Sequence, residues 1–474
     1  MTLLLCLSAM SIAVMAHGNE NHDDDPDEIT DITFDETPTY YADVKPILVQ
    51  NCVTCHQEGQ IAGYLPLTND EENLWAASDL AYFTAIRYMP PWMPSQDSLP
   101  MRHNRSLTDY EIAVIHAWSE GGAPMGDEAE YVAPEDRYEL IEIRTDMTLQ
   151  LEESNAYMPE EGVDDDYRCF AFTPELDESV YLTGYEFIPD ITEMAHHGIV
   201  YLVDSSAQAQ VTGLDDVDGR PGWSCYTGTG VDADEEFLGT WTPGTLPVQF
   251  PDDTGYLIEP DDIIIVQMHY NLTITREPDR TEVTLQFAQD DELADIRRLM
   301  TFELQAPVEI PCPTGVDGEQ CDRDFAIERA TELYGENWIQ FRPDYILNEC
   351  GQTIADYAEN TGESATTFCE YDVPLPLTVM GVFGHMHELG KSFQLELNPG
   401  TDDAQMLLNI PAWDFHWQDR YQLIEPLQVS FGDEIRMTCT WDNTLSDDPR
   451  YVVWGEGTAD EMCFATVMLL APGQ

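Results

Sequence analysis

The sequence predicts a multidomain fold in which a small all-α domain precedes domains built as β-sandwiches. Its 474 residues are enough for two or three separately packed cores. Residues 37–130 carry apolar side chains at helical spacing. After about residue 131 the sequence changes to short β-rich runs separated by Pro, Gly, Asp and Asn, a pattern typical of β-sandwiches rather than of alternating strands and helices.

The start of the chain predicts export. Residues 1–16 are an apolar run that is too short to span a bilayer comfortably and ends in small residues around Ala16, as a signal peptide does. No later segment reaches transmembrane length, so we expect no membrane span and a periplasmic or extracellular location. Residues 17–36 are acidic and lack an apolar period, which predicts a disordered leader.

Charge restricts the class of partner. The chain has 91 Asp and Glu against 19 Lys and Arg, for a formal net charge of −72 at pH 7. Binding to nucleic acid requires a basic surface, so nucleic acid is excluded as a partner. We interpret the charge as a solvated acidic surface; an acidic surface dedicated to a basic partner is the alternative.

Two helices are expected within residues 37–130. The segment YYADVKPILVQN has apolar residues at helical spacing and ends just before Cys52. The segment LTDYEIAVIHAWSEGG begins with Thr108 as a candidate cap and ends in glycines, which are start and stop signals for a helix.

Cys52, Cys55 and His56 form a C-x-x-C-H motif. Two thiols at this spacing can each add across a haem vinyl group, and the following His supplies the proximal iron ligand. A thioredoxin-type pair would need a βαβ pattern, and half of a zinc site would need a second Cys/His pair nearby; the sequence offers neither. The motif therefore predicts one covalently bound haem c.

The sixth iron ligand is expected in the downstream segment RYMPPWMPS, which offers Met89 and Met93. A thioether opposite His raises the reduction potential and favours electron transfer. The stretch from Tyr41 to Gly126 resembles class I cytochrome c domains, in which an R-x-MPPW segment carries the distal Met. That resemblance selects Met89, with Met93 as the alternative.

His385 and His387 lie two residues apart in an apolar run of the β-rich part. Side chains two apart on a strand project from the same face, so this pair can bind one metal while Met386 points away. Met462, in another β-run, is a candidate third ligand. Neutral imidazole together with a thioether suits copper, because soft sulfur stabilises Cu(I), whereas zinc sites use Cys, His and carboxylates.

His196 and His197 are adjacent in the segment MAHHGIV. In a regular strand their side chains would face opposite sides of the sheet. Joint binding of one metal therefore needs a β-bulge, a strand end or unusual side-chain angles. From strand geometry alone, a structural role is as good an interpretation as a ligand role.

From about residue 150 to its end, the chain resembles the type II copper, ascorbate-dependent monooxygenases, which include dopamine β-monooxygenase and peptidylglycine α-hydroxylating monooxygenase. The motifs AHH, VQMHY, HMHELGK and DEMC carry the resemblance, in this order. It implies a first copper bound by His196, His197 and His269. It implies a second copper bound by His385, His387 and Met462. Gln267 and Tyr167 also match family positions.

The resemblance also implies a fold. Two jelly-roll-like β-sandwich domains stand in tandem over residues 150–294 and 295–474, each holding one copper across an open cleft. Two disulfides, Cys169–Cys225 and Cys439–Cys463, are implied as well. Residues 304–377 are interpreted as a disulfide-stapled insertion, in which sequence leaves open the pairing of Cys312, Cys321, Cys350 and Cys369.

The implied reaction inserts one oxygen atom of O2 into a C–H bond of a small organic substrate. The second site, with His385, His387 and Met462 as its catalytic ligands, would bind and activate O2, and the first would store and deliver an electron. Ascorbate or a redox protein is the implied donor, and the haem c is a further hypothetical route for electrons. The alternative is a non-catalytic copper-binding or electron-transfer protein.

Two positions depart from the peptidylglycine enzymes. Those enzymes carry an Arg two residues before the H-x-H and a Tyr four residues after the copper-binding Met. The corresponding residues here are Phe383 and Thr466. Because the carboxylate clamp is absent at both places, a C-terminal glycine peptide is not the expected substrate.

Overall fold

The computed structural model describes residues 32–58, 62, 65–134, 141–163, 165–215, 217–225, 228–242, 245–290, 292–335, 342–415 and 417–471. The expected signal peptide and most of the expected acidic leader lie outside the described residues. Within the described ranges, no helix has the length and apolar character needed to cross a membrane.

The expected fold class, a small all-α cytochrome c domain followed by two tandem β-sandwiches, is wrong. The protein is mostly β-sheet, and only 20% of its residues are helical. The described part of the chain contains α1 (Lys45–Asn51), α2 (Asp70–Trp75), α3 (Ala77–Ala85), α4 (Asp109–Glu120), α5 (Gln208–Asp215), α6 (Arg323–Tyr334) and α7 (Pro343–Glu349). Most of these helices are short, and the first four do not make a clear all-α cytochrome c domain.

A proline-rich stretch explains why helix is sparse near the N-terminus. Residues 86–108 contain no helix, and they include prolines at positions 90, 91, 94 and 100, which cannot continue one. This stretch instead lies on the β-sheet part of the protein. The Ser95 backbone N–H donates to the Asn409 carbonyl at 2.8 Å, and the Leu99 N–H donates to the Met406 carbonyl at 3.0 Å. The N-terminal segment is thus partly packed on the β-sheets rather than folded as a separate helical bundle.

Helix α4 begins and ends where its sequence signals predict. Thr108 accepts a hydrogen bond from the Glu111 backbone N–H, and the Glu111 carboxylate accepts one from the Thr108 N–H, which completes a capping box. The helix ends at Gly121. Its Ile115 and Trp118 are fully buried, and the Trp118 ring contacts Tyr40 in the core of this segment.

Twenty strands make up the rest of the described architecture. In chain order they are β1 (Met147–Leu149), β2 (Asp165–Phe172), β3 (Val180–Ile188), β4 (Ala195–Val203), β5 (Trp223–Ser224), β6 (Glu235–Trp241), β7 (Val248–Gln249), β8 (Thr254–Ile258), β9 (Ile263–Asn271), β10 (Glu282–Phe287), β11 (Arg297–Gln305), β12 (Glu309–Ile310), β13 (Ala365–Asp372), β14 (Leu377–His385), β15 (Gly390–Leu397), β16 (Gln405–Ile410), β17 (Tyr421–Val429), β18 (Glu434–Trp441), β19 (Val452–Val453) and β20 (Phe464–Leu470).

The strands form four described sheets. The largest has the order β1-β10-β3-β8-β11-β20-β14-β17, with β7 beside β3. The others are β5-β2-β9-β4-β6, β13-β18-β15-β16 and the pair β12-β19. In the largest sheet, β11 pairs in parallel with β8 and antiparallel with β20. Strands from both sides of residue 295 therefore share one sheet, which joins the two expected copper-binding halves through backbone hydrogen bonds.

The described residues form four disulfides. Cys169–Cys225 and Cys439–Cys463 confirm the pairs that the family resemblance implies. Within the expected insertion, the pairing is Cys312–Cys321 and Cys350–Cys369. The free thiols of the described residues belong to Cys52 and Cys55.

A buried ion pair supports the five-stranded sheet. Arg168 on β2 is 0% exposed, and its guanidinium donates to both carboxylate oxygens of Asp218 at 2.9 Å. It also donates to the carbonyls of Pro221 and Gly222. The pKa of Asp218 lies well below its usual value because of these Arg168 hydrogen bonds.

We expect Asp218→Ala to lower the free energy of unfolding by about 3 kcal/mol, because it leaves a buried guanidinium without its counter-charge. This value is the lower end of the usual loss of stability when one partner of a buried ion pair is removed. The lower end applies because the Asp218 side chain is 31% exposed. Denaturant unfolding measures the change. Asp215→Ala, on exposed α5, is the matched control and should stay within about 0.5 kcal/mol; equal losses in both variants would contradict the expectation.

Candidate metal centre

His196, His197 and His269 come together at one end of the ladder between β4 and β9. One nitrogen from each ring lies within 4.8 Å of the others. The ladder pairs Ala195 with Tyr270 and then His197 with His269, so the register skips His196. This irregularity is the kind of bulge that lets two adjacent histidines reach one point.

The ring of His269 is held on two sides. Its Nε2 lies 2.8 Å from the Asp165 carboxylate, and its ring stacks on Tyr167 with centroids 4.0 Å apart. Its Nδ1 consequently faces His197 Nδ1 at 3.4 Å. Burial holds the pKa values of His197 and His269 well below the usual range. His197 and His269 are therefore neutral imidazoles, and the His269 ring is oriented by a carboxylate, as is usual for metal-binding histidines.

His385 and His387 also converge, with ring centroids 5.0 Å apart. The expected strand does not continue through both residues: β14 ends at His385. Beyond that point the His387 backbone N–H donates to the Glu461 carboxylate at 2.8 Å instead of joining a strand ladder. Met386 points away into the apolar core, where it is fully buried.

Each of these two rings has its Nδ1 engaged. His385 Nδ1 lies 2.5 Å from Gln418 Oε1, and His387 Nδ1 lies 3.1 Å from the Asp460 carbonyl. Both partners are acceptors, so Nδ1 carries the proton and Nε2 keeps its lone pair for a metal. Burial lowers the pKa of His385 to about 4 and that of His387 to about 3, so both are neutral at pH 7.

Sequence reasoning missed Glu461, which ties this pair to the Met462 segment. Its fully buried carboxylate accepts hydrogen bonds from the backbone N–H groups of His387, Leu389 and Met462 and from Trp441 Nε1. Burial raises its pKa to about 8. Its sequence signal was its position directly before Met462 in the DEMC motif, next to Asp460.

The two histidine groups are neighbours in space. The Phe415 ring lies between them, with centroid distances of 5.1 Å to His196 and 5.7 Å to His387. Across the same boundary, the Tyr167 hydroxyl donates to the Glu456 carbonyl at 2.9 Å. The open cleft implied by the resemblance is therefore bridged by direct contacts in this structure.

Phe383 and Thr466 are paired directly across β14 and β20. The Phe383 ring lies nearly parallel to that of His385 at 6.2 Å, and it also stacks on Phe237 of the other sheet. Both Phe383 and Thr466 are buried. An aromatic wall thus lies beside His385 where peptidylglycine enzymes place a cationic clamp.

A separate cavity contains the C-x-x-C-H residues. Cys52, Cys55, His56 and Met89 all line it. His56 Nδ1 lies 2.9 Å from the Leu65 carbonyl, which leaves Nε2 as the nitrogen available for a metal.

Met93 also lines this cavity, but its sulfur is already engaged. The Met93 Sδ accepts a hydrogen bond from the Asp414 backbone N–H at 3.3 Å. Another part of the wall comes from the β-sheet part and includes Trp417, Gln418 and Tyr421.

Fold and site together define a β-sheet protein in which three histidines that could hold a metal ion lie beside a second histidine pair. Residues 350–472, which contain His385, His387 and Met462, match the family model for the copper type II ascorbate-dependent monooxygenase, C-terminal domain. The match supports a copper-dependent oxidoreductase. No curated protein matches the sequence significantly.

Solved structures resemble the chain only distantly. A structure of PNGF-II is 11% identical, with 68% of this chain and 65% of that chain covered and a TM-score of 0.29. This chain thus spans slightly less than two thirds of PNGF-II. A peptide-N(4)-(N-acetyl-β-D-glucosaminyl) asparagine amidase is 8% identical over 69% of this chain and 97% of that one, with a TM-score of 0.24. A fucolectin from striped bass serum is 7% identical over 64% and 85%, with a TM-score of 0.14. At these scores the likenesses carry no argument about fold or function.

Proposed function

We propose that this protein is an exported copper-dependent monooxygenase that inserts one oxygen atom of O2 into a C–H bond of a small organic molecule. The observation that carries the proposal is the pair of neighbouring imidazole groups. In each group, a hydrogen-bond acceptor outside the group fixes the orientation of at least one imidazole ring. The second group, His385 and His387, lies in the region that matches the monooxygenase family model. Copper bound there would supply the one-electron chemistry that O2 requires.

The donor sets fit copper. His196, His197 and His269 would hold a first ion, since their nitrogens already lie within 4.8 Å of one another. His385 and His387 would hold a second, with Met462 as the third ligand. The Glu461 carboxylate accepts hydrogen bonds from the backbone N–H groups of His387 and Met462, which supports that assignment because it keeps the two segments together. A thioether at this site favours Cu(I), the form that reacts with O2. The two sets fall in residues 150–294 and 295–474, which we propose as the two copper-binding regions.

The chain's own residues would shape the substrate site. Phe383 and Phe237 present aromatic surface next to His385, and their burial keeps water away from it. Neither Phe383 nor Thr466 can hold a substrate carboxylate by charge. The substrate is therefore expected to be a small molecule bound through apolar contacts near the second site.

We further propose that Cys52, Cys55, His56 and Met89 hold a covalently attached haem in the cavity that they line. Two free thiols, a His with Nδ1 engaged and a thioether on one cavity wall support this assignment. Such a haem would supply electrons to copper in place of, or together with, ascorbate or another redox protein. The helices around the cavity need not form an independent domain for this, because the β-sheet part completes the wall.

Two methionine variants test the iron ligand. We expect Met89→Ala to lower the haem reduction potential and to remove the absorption of a Met–Fe bond from the oxidised spectrum, because the thioether raises the potential. Met93→Ala is the matched control and should keep both features, since the Met93 sulfur accepts a hydrogen bond from Asp414. The reverse result would assign Met93 as the ligand.

Oxygen consumption separates the proposed enzyme from a non-catalytic copper protein. The copper-loaded full chain is mixed with ascorbate, O2 and a broad panel of small C–H substrates. A monooxygenase consumes O2 in proportion to hydroxylated product. Two occupied copper sites with no product from any substrate would instead favour copper binding or electron transfer alone.

A further inference from the structure

Gln418 touches both the cavity of the C-x-x-C-H residues and a ligand of the second copper site. It lines the cavity together with Cys52 and Met89. Its Oε1 accepts a hydrogen bond from His385 Nδ1 at 2.5 Å. A single side chain therefore separates the proposed haem cavity from His385.

The orientation of the Gln418 amide is fixed by its neighbours. Its Nε2 donates to the Phe415 carbonyl at 2.7 Å, so its oxygen must face His385. Its backbone carbonyl accepts from the Thr242 hydroxyl at 2.8 Å. Gln418 is itself buried, so these contacts are shielded from water. The link between cavity and imidazole is thus rigid and dry, which are the conditions for efficient electron coupling.

Among the described residues, the lining of the cavity includes a hydrogen-bond partner of His385 but no histidine of the first group. None of the described residues that line it is His196, His197 or His269. Thr242 and Thr245 come from the first half of the β-sheet part and also line it. Their hydroxyls, however, contact each other and the Gln418 carbonyl rather than a histidine.

We infer that electrons enter the copper centre at the second site, through Gln418 and His385, and not at the first. The inference rests on the proposed function. In this step ferrous haem loses one electron and becomes ferric, Cu(II) at the second site gains it and becomes Cu(I), and no bond is made or broken. Gln418 acts as a positioning residue, since it holds the His385 ring against the cavity wall.

Flash photoreduction of the haem, in the full chain loaded with Cu(II) under anaerobic conditions, tests this route. Haem absorbance reports reoxidation, and freeze-quenched EPR reports loss of the Cu(II) signal. In His269→Ala, which removes a ligand of the first site, fast reoxidation should persist with loss of the second-site signal. Reoxidation that disappears in His269→Ala would overturn the inference.

Substitutions of Gln418 test the link itself. Gln418→Leu should slow haem reoxidation at least about tenfold, the lower end of the effect of removing an outer partner of a metal-binding histidine. Gln418→Glu keeps an oxygen acceptor for His385 and should restore the fast rate. Gln422→Leu is the control, because Gln422 is similarly buried but donates to the distant Gln249 carbonyl. An unchanged rate in Gln418→Leu, with haem and both coppers present, overturns only the route. Absence of a haem spectrum from the purified chain overturns the proposed haem and the route with it.

Discussion

His269→Ala is expected to release one of the two copper ions and to lower hydroxylation more than about 100-fold. The loss should exceed the 10–100-fold that changes to outer-shell partners typically cause, because His269 is proposed as a direct ligand. Its Nδ1 faces His197, and Asp165 and Tyr167 hold its ring in place. Metal analysis gives the copper content, and product formation gives the rate.

His116→Ala is the matched control for this variant. His116 lies on α4, far in sequence from both histidine groups, and no ligand role is proposed for it. It should keep two copper ions and the full rate of hydroxylation. Retention of both ions and of activity in His269→Ala would contradict the assignment of the first site.

Glu461→Ala is expected to lower the free energy of unfolding by about 3 kcal/mol or more and to empty the second copper site. The substitution leaves the N–H groups of His387, Leu389, Met462 and Trp441 without their acceptor, and each buried unsatisfied donor costs about 1–3 kcal/mol. Burial raises the pKa of Glu461 to about 8. The expectation is unchanged, because a protonated carboxyl group still accepts hydrogen bonds.

Denaturant unfolding and copper analysis measure the two effects of Glu461→Ala. Glu425→Ala, on an exposed part of β17, is the matched control and should change stability by less than about 0.5 kcal/mol. The loss of stability in Glu461→Gln should lie between those of Glu461→Ala and Glu425→Ala, because the amide keeps one oxygen acceptor while its nitrogen faces N–H donors. Full copper binding by a stable Glu461→Ala variant would show that this carboxylate does not hold the second site.

The histidines that the structure brings together could be singled out from the sequence because they stand in short motifs. The H-x-H at a strand end, the adjacent His pair and the later H-Y can each be recognised from a few consecutive residues. Strand geometry also showed what the adjacent pair requires, and the skipped register at His196 meets that requirement. The two disulfides next to these motifs followed from the same resemblance.

Residues that act from a distance were not predictable in this way. Gln418 lies 33 positions from His385, and Asp165 lies 104 positions from His269. Nothing in their local sequence marks them as partners, since the contact is made only by the sheet topology. The parallel pairing of β11 with β8, which joins the two halves, could not be predicted from the sequence either.

The error about the N-terminal segment has a local cause. The C-x-x-C-H motif and two helical patterns favoured a complete all-α domain, but the prolines that follow α3 cannot continue a helix. Residues Ser95 and Leu99 bond instead to the backbone near β16. A short pattern can therefore indicate a chemical motif, but it does not predict the fold that surrounds the motif.

Turnover under ¹⁸O2 tests the proposed monooxygenase most directly. The copper-loaded full chain and ascorbate are incubated with a broad mixture of small organic substrates, and products are analysed by mass spectrometry. We predict a hydroxylated product that carries one ¹⁸O atom per molecule and that disappears when His385 is replaced by Ala. Product oxygen that comes from water, or no product at all from a chain with both copper sites occupied, would contradict it.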